Sequence, residues 1–194
     1  MSSLYRTATK KTIKLSDLLL VEQCKQNNRK AQMALYRQYC EGMFVIANRY
    51  MKDTAAAEDA MQDAFIKAFS KIHQYKGDVT FGAWLKRIVI NTCLDQIKAR
   101  KVDMYAINEE VLAQADEDDW QVDDETSVEE IMQAIDELPQ QYKVVVKMFL
   151  LEGYDHAEIS DVLGISESAS RTNLYRGKQK LQQTLNHLRY GTGY

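Results

Sequence analysis

Apolar side chains recur every three to four residues along most of this chain, and no stretch sustains the two-residue alternation of a half-buried strand. The pattern predicts a first helix from an N-cap at Ser16 to about Asn27, and a second from about Arg29 to Met51. Asp53 or Thr54 caps a third that reaches about Gln74. The Gly77-Asp78-Val79-Thr80 stretch breaks the period, and a fourth helix runs from about Phe81 to Lys101. Periodicity is lost over most of Val102 to Thr126. It resumes at Ser127-Val128-Glu129-Glu130, where Ser and Glu three apart form a capping box for a short helix to Glu137. Pro139 starts the next helix, with Tyr142, Val145, Val146, Phe149 and Leu150 on one face, and Gly153 ends it. Asp155-His156-Ala157-Glu158 is a second capping box, opening about two turns of helix that stop at Gly164. Ser166 caps a last helix to about Leu188.

The formal charge of -3 conceals a strong segregation. Residues 1–102 carry 18 basic and 9 acidic side chains, residues 103–137 carry 14 acidic and no basic ones, and residues 138–194 carry 7 basic and 5 acidic ones. The acidity belongs to one segment, and both flanking blocks are basic, as a polyanion-binding surface requires. The expected organisation is a basic arm over 1–15, a helical domain over 16–101, an acidic flexible linker over 102–126 and a helix-turn-helix domain over 127–190. The fold class is all-α: two small helical domains on a tether. Eight Gly and one Pro suit long helices and exclude collagen-like or low-complexity classes.

The linker's Asp and Glu cluster lacks the sixth-position Gly of a calcium loop, so a solvated spacer, or a negative strand for a partner's basic channel, is expected instead. Cys24, Cys40 and Cys93 show no CxxC spacing, and His73, His156 and His187 are scattered. No metal, no cofactor and no disulfide framework is expected. Asp17 and Glu22 confine the Leu18-Leu19-Leu20-Val21 run to four residues, too short for a signal peptide or a membrane span. The expectation is a cytoplasmic protein with no direct membrane insertion.

A short helix, a Gly-containing turn and a longer basic helix form the plan of a helix-turn-helix. On a helical wheel Ser170, Leu174, Gly177, Leu181, Leu185 and Leu188 fall within about 60° of one another and are expected to face inward. The opposite side presents Ser168, Thr172, Arg176, Gln179 and Lys180, flanked by Arg171, Asn173 and Tyr175, a set suited to base edges and phosphates. An ordinary amphipathic surface helix is the alternative. The absence of any acid after Glu167 favours DNA.

The third helix contains Glu58-Asp59-Ala60-Met61-Gln62-Asp63-Ala64-Phe65-Ile66-Lys67-Ala68-Phe69. The fourth opens Phe81-Gly82-Ala83-Trp84-Leu85-Lys86-Arg87-Ile88-Val89-Ile90-Asn91-Thr92-Cys93-Leu94-Asp95. These strongly resemble the promoter-melting domain of the extracytoplasmic-function (ECF) group of bacterial RNA polymerase sigma factors. Ile159 to Ser166, followed by Arg171 to Leu181, resembles the second sigma domain. The resemblance covers about 25–101 and 128–188. It implies a non-enzymatic factor that binds core RNA polymerase, through its largest and second-largest subunits, and directs promoter-specific transcription initiation.

Under that resemblance Asp59, Gln62, Asp63 and Lys67, which share one helix face, would dock on a coiled coil of the largest polymerase subunit. The loop Gln74 to Thr80 sits where family members capture a flipped promoter base. Tyr75 is either a stacking platform or part of a structural turn, with Lys76 on phosphate and Gly77 allowing close backbone approach. Arg87, Asn91 and Lys98 form a narrow polar stripe for the −10 element, with Trp84 at its edge as core first and stacking platform second. Ser168, Arg171, Thr172, Asn173, Tyr175, Arg176 and Lys180 would read the −35 element. Ser170 and Gly177 depart from the family pattern at inward positions. The acidic linker would thread a basic polymerase channel, and an anti-sigma factor is the expected inhibitor. Two rivals stand beside this reading. One is a DNA-binding regulator with a sensing or dimerising N-terminal domain. The other is a small helical enzyme, for which no constellation of His, Glu and Asp is present.

Overall fold

The computed structural model describes residues 15–100 and 126–190, and the basic arm up to Lys14 and residues 101–125 of the acidic segment lie outside them. The chain divides into two compact units, Met1–Val102 and Asp103–Tyr194. Every described element is helical.

In the first unit, α1 (Leu15–Lys25) is followed by a turn at Asn27, whose φ of 58° lies in the left-handed region that Asn tolerates. Asn28 then caps α2 (Arg29–Tyr50), its Oδ1 accepting from the backbone N–H of Lys30 at 3.0 Å and of Ala31 at 3.3 Å. Asp53 caps α3 (Thr54–Ser70) by accepting from Ala56 N at 2.8 Å, and Thr80 Oγ1 accepts from Ala83 N at the start of α4 (Phe81–Arg100). The small side chains Ala57, Ala60, Ala64 and Ala68 form a fully buried row along α3. Their size lets α3 approach both α2 and α4 closely, around Leu35, Phe81, Leu85, Ile90 and Leu94.

Two sequence expectations fail here. Ser16 is not an N-cap, because α1 already includes Leu15; its hydroxyl instead donates to Asp17 Oδ1 at 3.4 Å. The third helix stops at Ser70 and is followed by a 3-10 turn over Ile72–Gln74, which buries Ile72 and tightens the approach to the loop.

The second unit opens with α5 (Val128–Glu137), whose capping box of Ser127 and Glu130 is complete. α6 (Gln140–Val146) passes directly into a π turn, Lys147–Leu151, closed by the Glu152 N–H on Lys147 O at 3.1 Å. The wider turn rotates the side chains beyond Val146, so the single apolar face expected from Tyr142 to Leu150 breaks. Tyr142, Val145 and Val146 are buried, whereas Leu150 is exposed. Lys147 takes a buried place at 3% exposure, its ammonium 2.7 Å from Asp136 Oδ1. Lys143 Nζ donates to the backbone carbonyl of the same Asp136, so one lysine from α6 and one from the π turn tie both to the end of α5.

The helix-turn-helix follows. Asp155 and Glu158 complete the capping box of α7 (His156–Leu163), and Gly164 ends it at φ 69°, where a side chain would be strained. Ser166 Oγ accepts from Ala169 N at 3.0 Å and caps α8 (Glu167–Tyr190). Both inward departures have structural reasons. A Cβ at Gly177 would lie 2.6 Å from Val146 Cγ2 and 3.3 Å from Tyr142 Cβ, so the glycine lets α8 cross α6 in contact. Ser170 is wholly buried, with its Oγ 2.9 Å from His156 Nδ1, and the imidazole stacks on Phe149 at 4.9 Å.

Candidate functional site

On α3 the polar face is present as expected: Asp59, Gln62, Asp63 and Lys67 are exposed. Asp59, Gln62 and Asp63 line a shallow groove of about 330 Å³ together with Ile66 and Gln96. Gln96, on α4, donates from Nε2 to Asp63 Oδ2 at 3.1 Å and fixes that carboxylate. Lys67 turns the other way, donating to Thr92 Oγ1 at 3.3 Å with Asp95 Oδ2 3.9 Å away, and does not line the groove. Sequence reasoning missed Ile66, an isoleucine 68% exposed amid polar neighbours. Its signal was its place, four residues after Gln62 and three after Asp63 on the same face. Gln96 gave no signal, since its role comes from α4 crossing α3.

At the 74–80 loop Tyr75 is buried inside the turn. Its ring is 4% exposed, edge-on to Phe81 at 5.7 Å and tilted against Trp84 at 5.5 Å. Its hydroxyl donates to Val79 O at 2.6 Å. Tyr75 thus braces the turn, with its ring packed against Phe81 and Trp84. Burial raises its phenol pKa first, and the negative charges of Asp17 and Asp78 add to the rise. Gly77 sits at φ 84°, so the turn needs it. Lys76, Asp78 and Val79 are exposed around the loop, and Trp84 is half-buried behind it. Along α4, Arg87, Asn91 and Lys98 are all exposed on one side.

The exposed arc of α8 differs from the one the wheel predicts. Arg171 and Lys180 are exposed, and Ser168, Tyr175 and Arg176 are partly so. Thr172 and Asn173, at 4% and 6% exposure, are buried and cannot present their polar groups to DNA in this conformation. The reason is that α8 packs against α5, α6 and α7, so the buried arc of its first turns is wider than the leucine stripe alone. Lys178 and Gln182, which sequence reasoning left out, fall on the accessible side with Arg171 and Tyr175. Arg171 pairs with Glu167 Oε2 at 2.9 Å, and Gln179 Nε2 donates to the Tyr175 hydroxyl at 2.7 Å. Among the described residues no group of His, Cys, Asp and Glu could hold a metal ion, and no helix is long and apolar enough to cross a membrane.

The described residues thus form two helical units, the first with a grooved acidic face and a basic stripe and the second a helix-turn-helix. Sigma-70 region 2 matches residues 35–102 and sigma-70 region 4 matches residues 128–181, together well over half the chain. The chain belongs to the sigma-70 family of RNA polymerase sigma factors, in its ECF group.

Among its relatives is the ECF RNA polymerase sigma factor SigE of Mycolicibacterium smegmatis, 30% identical over 78% of this chain and 60% of the relative. The chain thus spans less than two thirds of that protein. ECF RNA polymerase sigma factor SigM of Mycobacterium tuberculosis is 28% identical over 91% of this chain and 88% of its own length. The fold matches the sigma factor RpoE of Bartonella quintana, solved with the anti-sigma factor NepR, at a TM-score of 0.55 and 16% identity over 79% of this chain and 96% of that one. It also matches CnrH, solved with the cytosolic domain of CnrY, at a TM-score of 0.53 and 20% identity over 88% and 97%.

Proposed function

We propose that this chain binds core RNA polymerase and directs it to promoters by reading a −10 element with its first domain and a −35 element with its second. The observation that carries this is the pairing, in one chain, of a region 2 unit and a region 4 unit. The groove of Asp59, Gln62, Asp63 and Ile66 is the docking face for the largest polymerase subunit, with Lys67 supporting it from the side. Lys76, Arg87, Asn91 and Lys98, backed by Trp84 and the Tyr75 brace, serve the −10 element. Ser168, Arg171, Tyr175, Lys178, Arg176 and Lys180 serve the −35 element.

The domains are 16–101 and 127–190, and the acidic 102–126 segment lies along a basic channel of the polymerase formed with its second-largest subunit. The protein works in the cytoplasm, performs no chemistry of its own, and is held inactive by an anti-sigma factor, as the solved relatives' complexes suggest. Transcription with sigma-free core polymerase on a pool of genomic fragments tests the reading. Discrete new start sites, dependent on added protein and sharing two aligned elements, are expected. Fragment binding by the protein alone without initiation would replace it with an operator-binding regulator.

A further inference from the structure

We propose that Asp17, on α1, is a positioning residue for the 75–80 loop and through it sets base preference at one position of the melted −10 strand. The inference rests on the reading of that loop as a promoter contact. Asp17 lies ahead of the region 2 match, which begins at residue 35, yet its carboxylate is buried at 3% exposure. It accepts from Gln38 Nε2 at 3.0 Å and from the Tyr39 hydroxyl. An apolar pair would close α1 onto α2 as well as a buried carboxylate does, without its desolvation cost. What the carboxylate adds is direction, because it fixes the rotation of Tyr39.

That ring is the first link of a continuous path to the loop. It meets Phe81 edge-on at 5.4 Å, and it lies so close to α4 that a Cβ at Gly82 would be 2.8 Å from Tyr39 Cε1. Phe81 packs on Tyr75, and Tyr75 holds the Val79 carbonyl. α1 also reaches the loop directly: Leu18 Cδ2 is 3.9 Å from where a Cβ on Gly77 would stand. The loop is therefore held at Gly77 by α1 directly and at Val79 by Tyr75 at the end of the path from Asp17, so Lys76, Asp78 and Val79 are presented in one fixed arrangement. Burial and the Asp17 bond both raise the Tyr39 phenol pKa, which keeps its proton on the donor side of the contact.

The test uses the full chain assembled with core polymerase on templates randomised across the −10 and −35 elements, with transcripts sequenced and polymerase affinity measured in parallel. In Tyr39→Phe, which keeps the ring, and in Asp17→Asn, the preference for the best base at one −10 position should fall about fivefold, the effect of one lost hydrogen bond. Preference across the −35 element and polymerase affinity should stay as in the wild type. Tyr75→Phe, which releases Val79, should alter the same position. Lower yield with unchanged base preference, or a change at a different position in Tyr75→Phe, would overturn the proposal. A wild-type holoenzyme that fails to initiate at all would overturn the functional reading and this inference with it.

Discussion

Ser170 shows how much one side chain can decide in a small helical unit. It replaces an expected aliphatic with a hydroxyl that is wholly buried and pairs with His156. Ser170→Val should therefore destabilise the second unit by about 1 kcal/mol, despite the added apolar volume, because a buried polar contact is lost. Chemical denaturation of the purified protein checks it. Cys93 makes the opposite point. Burial raises its thiol pKa from 9.0 to about 12, so the native state keeps a proton that the unfolded chain would release. The stabilisation is complete below pH 9.0 and is lost as pH rises toward 12, so melting temperature in reducing buffer should fall over that window. Neither residue's role could be read from its position. Tyr75 is the same case: its partner is a carbonyl four residues on, brought within reach only by the turn at Gly77.

At the scale of the element, caps and periods were the legible part. The two capping boxes, the Gly164 stop and the caps at Asp53 and Ser166 follow from residues that satisfy or free local backbone groups. The π turn was not legible, since an ideal wheel carries one constant rotation and Lys147–Leu151 departs from it. For α8 the wheel located the leucine stripe but could not count the helices that lean on it. Two predictions follow from the corrected arc. Arg171→Ala and Lys178→Ala should each weaken binding to a −35 duplex and lower the slope of log affinity against log salt by roughly one, read from titrations at several salt concentrations. Thr172→Val should leave that slope unchanged. On α3, Ile66→Ala should be nearly neutral for stability, because the side chain is exposed, yet weaken polymerase binding about tenfold if it anchors the groove. Fluorescence anisotropy with labelled protein measures it.

Across the whole molecule, the division into two units was visible in the sequence for an electrostatic reason. Residues 103–126, with ten acidic and no basic side chains and no helical period over most of their length, mark a boundary without any structural input. Under the proposed function this segment joins two modest binding modules, and joining them makes the second contact effectively intramolecular. Separated halves, 16–101 and 127–190, added together in trans should therefore support far less initiation than the intact chain at equal concentration, in the same transcription assay.

The glycine at position 177 carries a consequence of its own. It stands near the middle of a 24-residue helix, at the point where α8 rests on α6 without an intervening methyl. A helix of that length extends roughly 36 Å, and the residues proposed to read the −35 element lie on both sides of Gly177. Bulk added at Gly177 would push α8 off α6 at Val146 and Tyr142 and shift the whole helix. Under the proposed function, promoter preference would therefore change through a residue that touches no base, by re-aiming α8 and leaving its reading side chains unchanged.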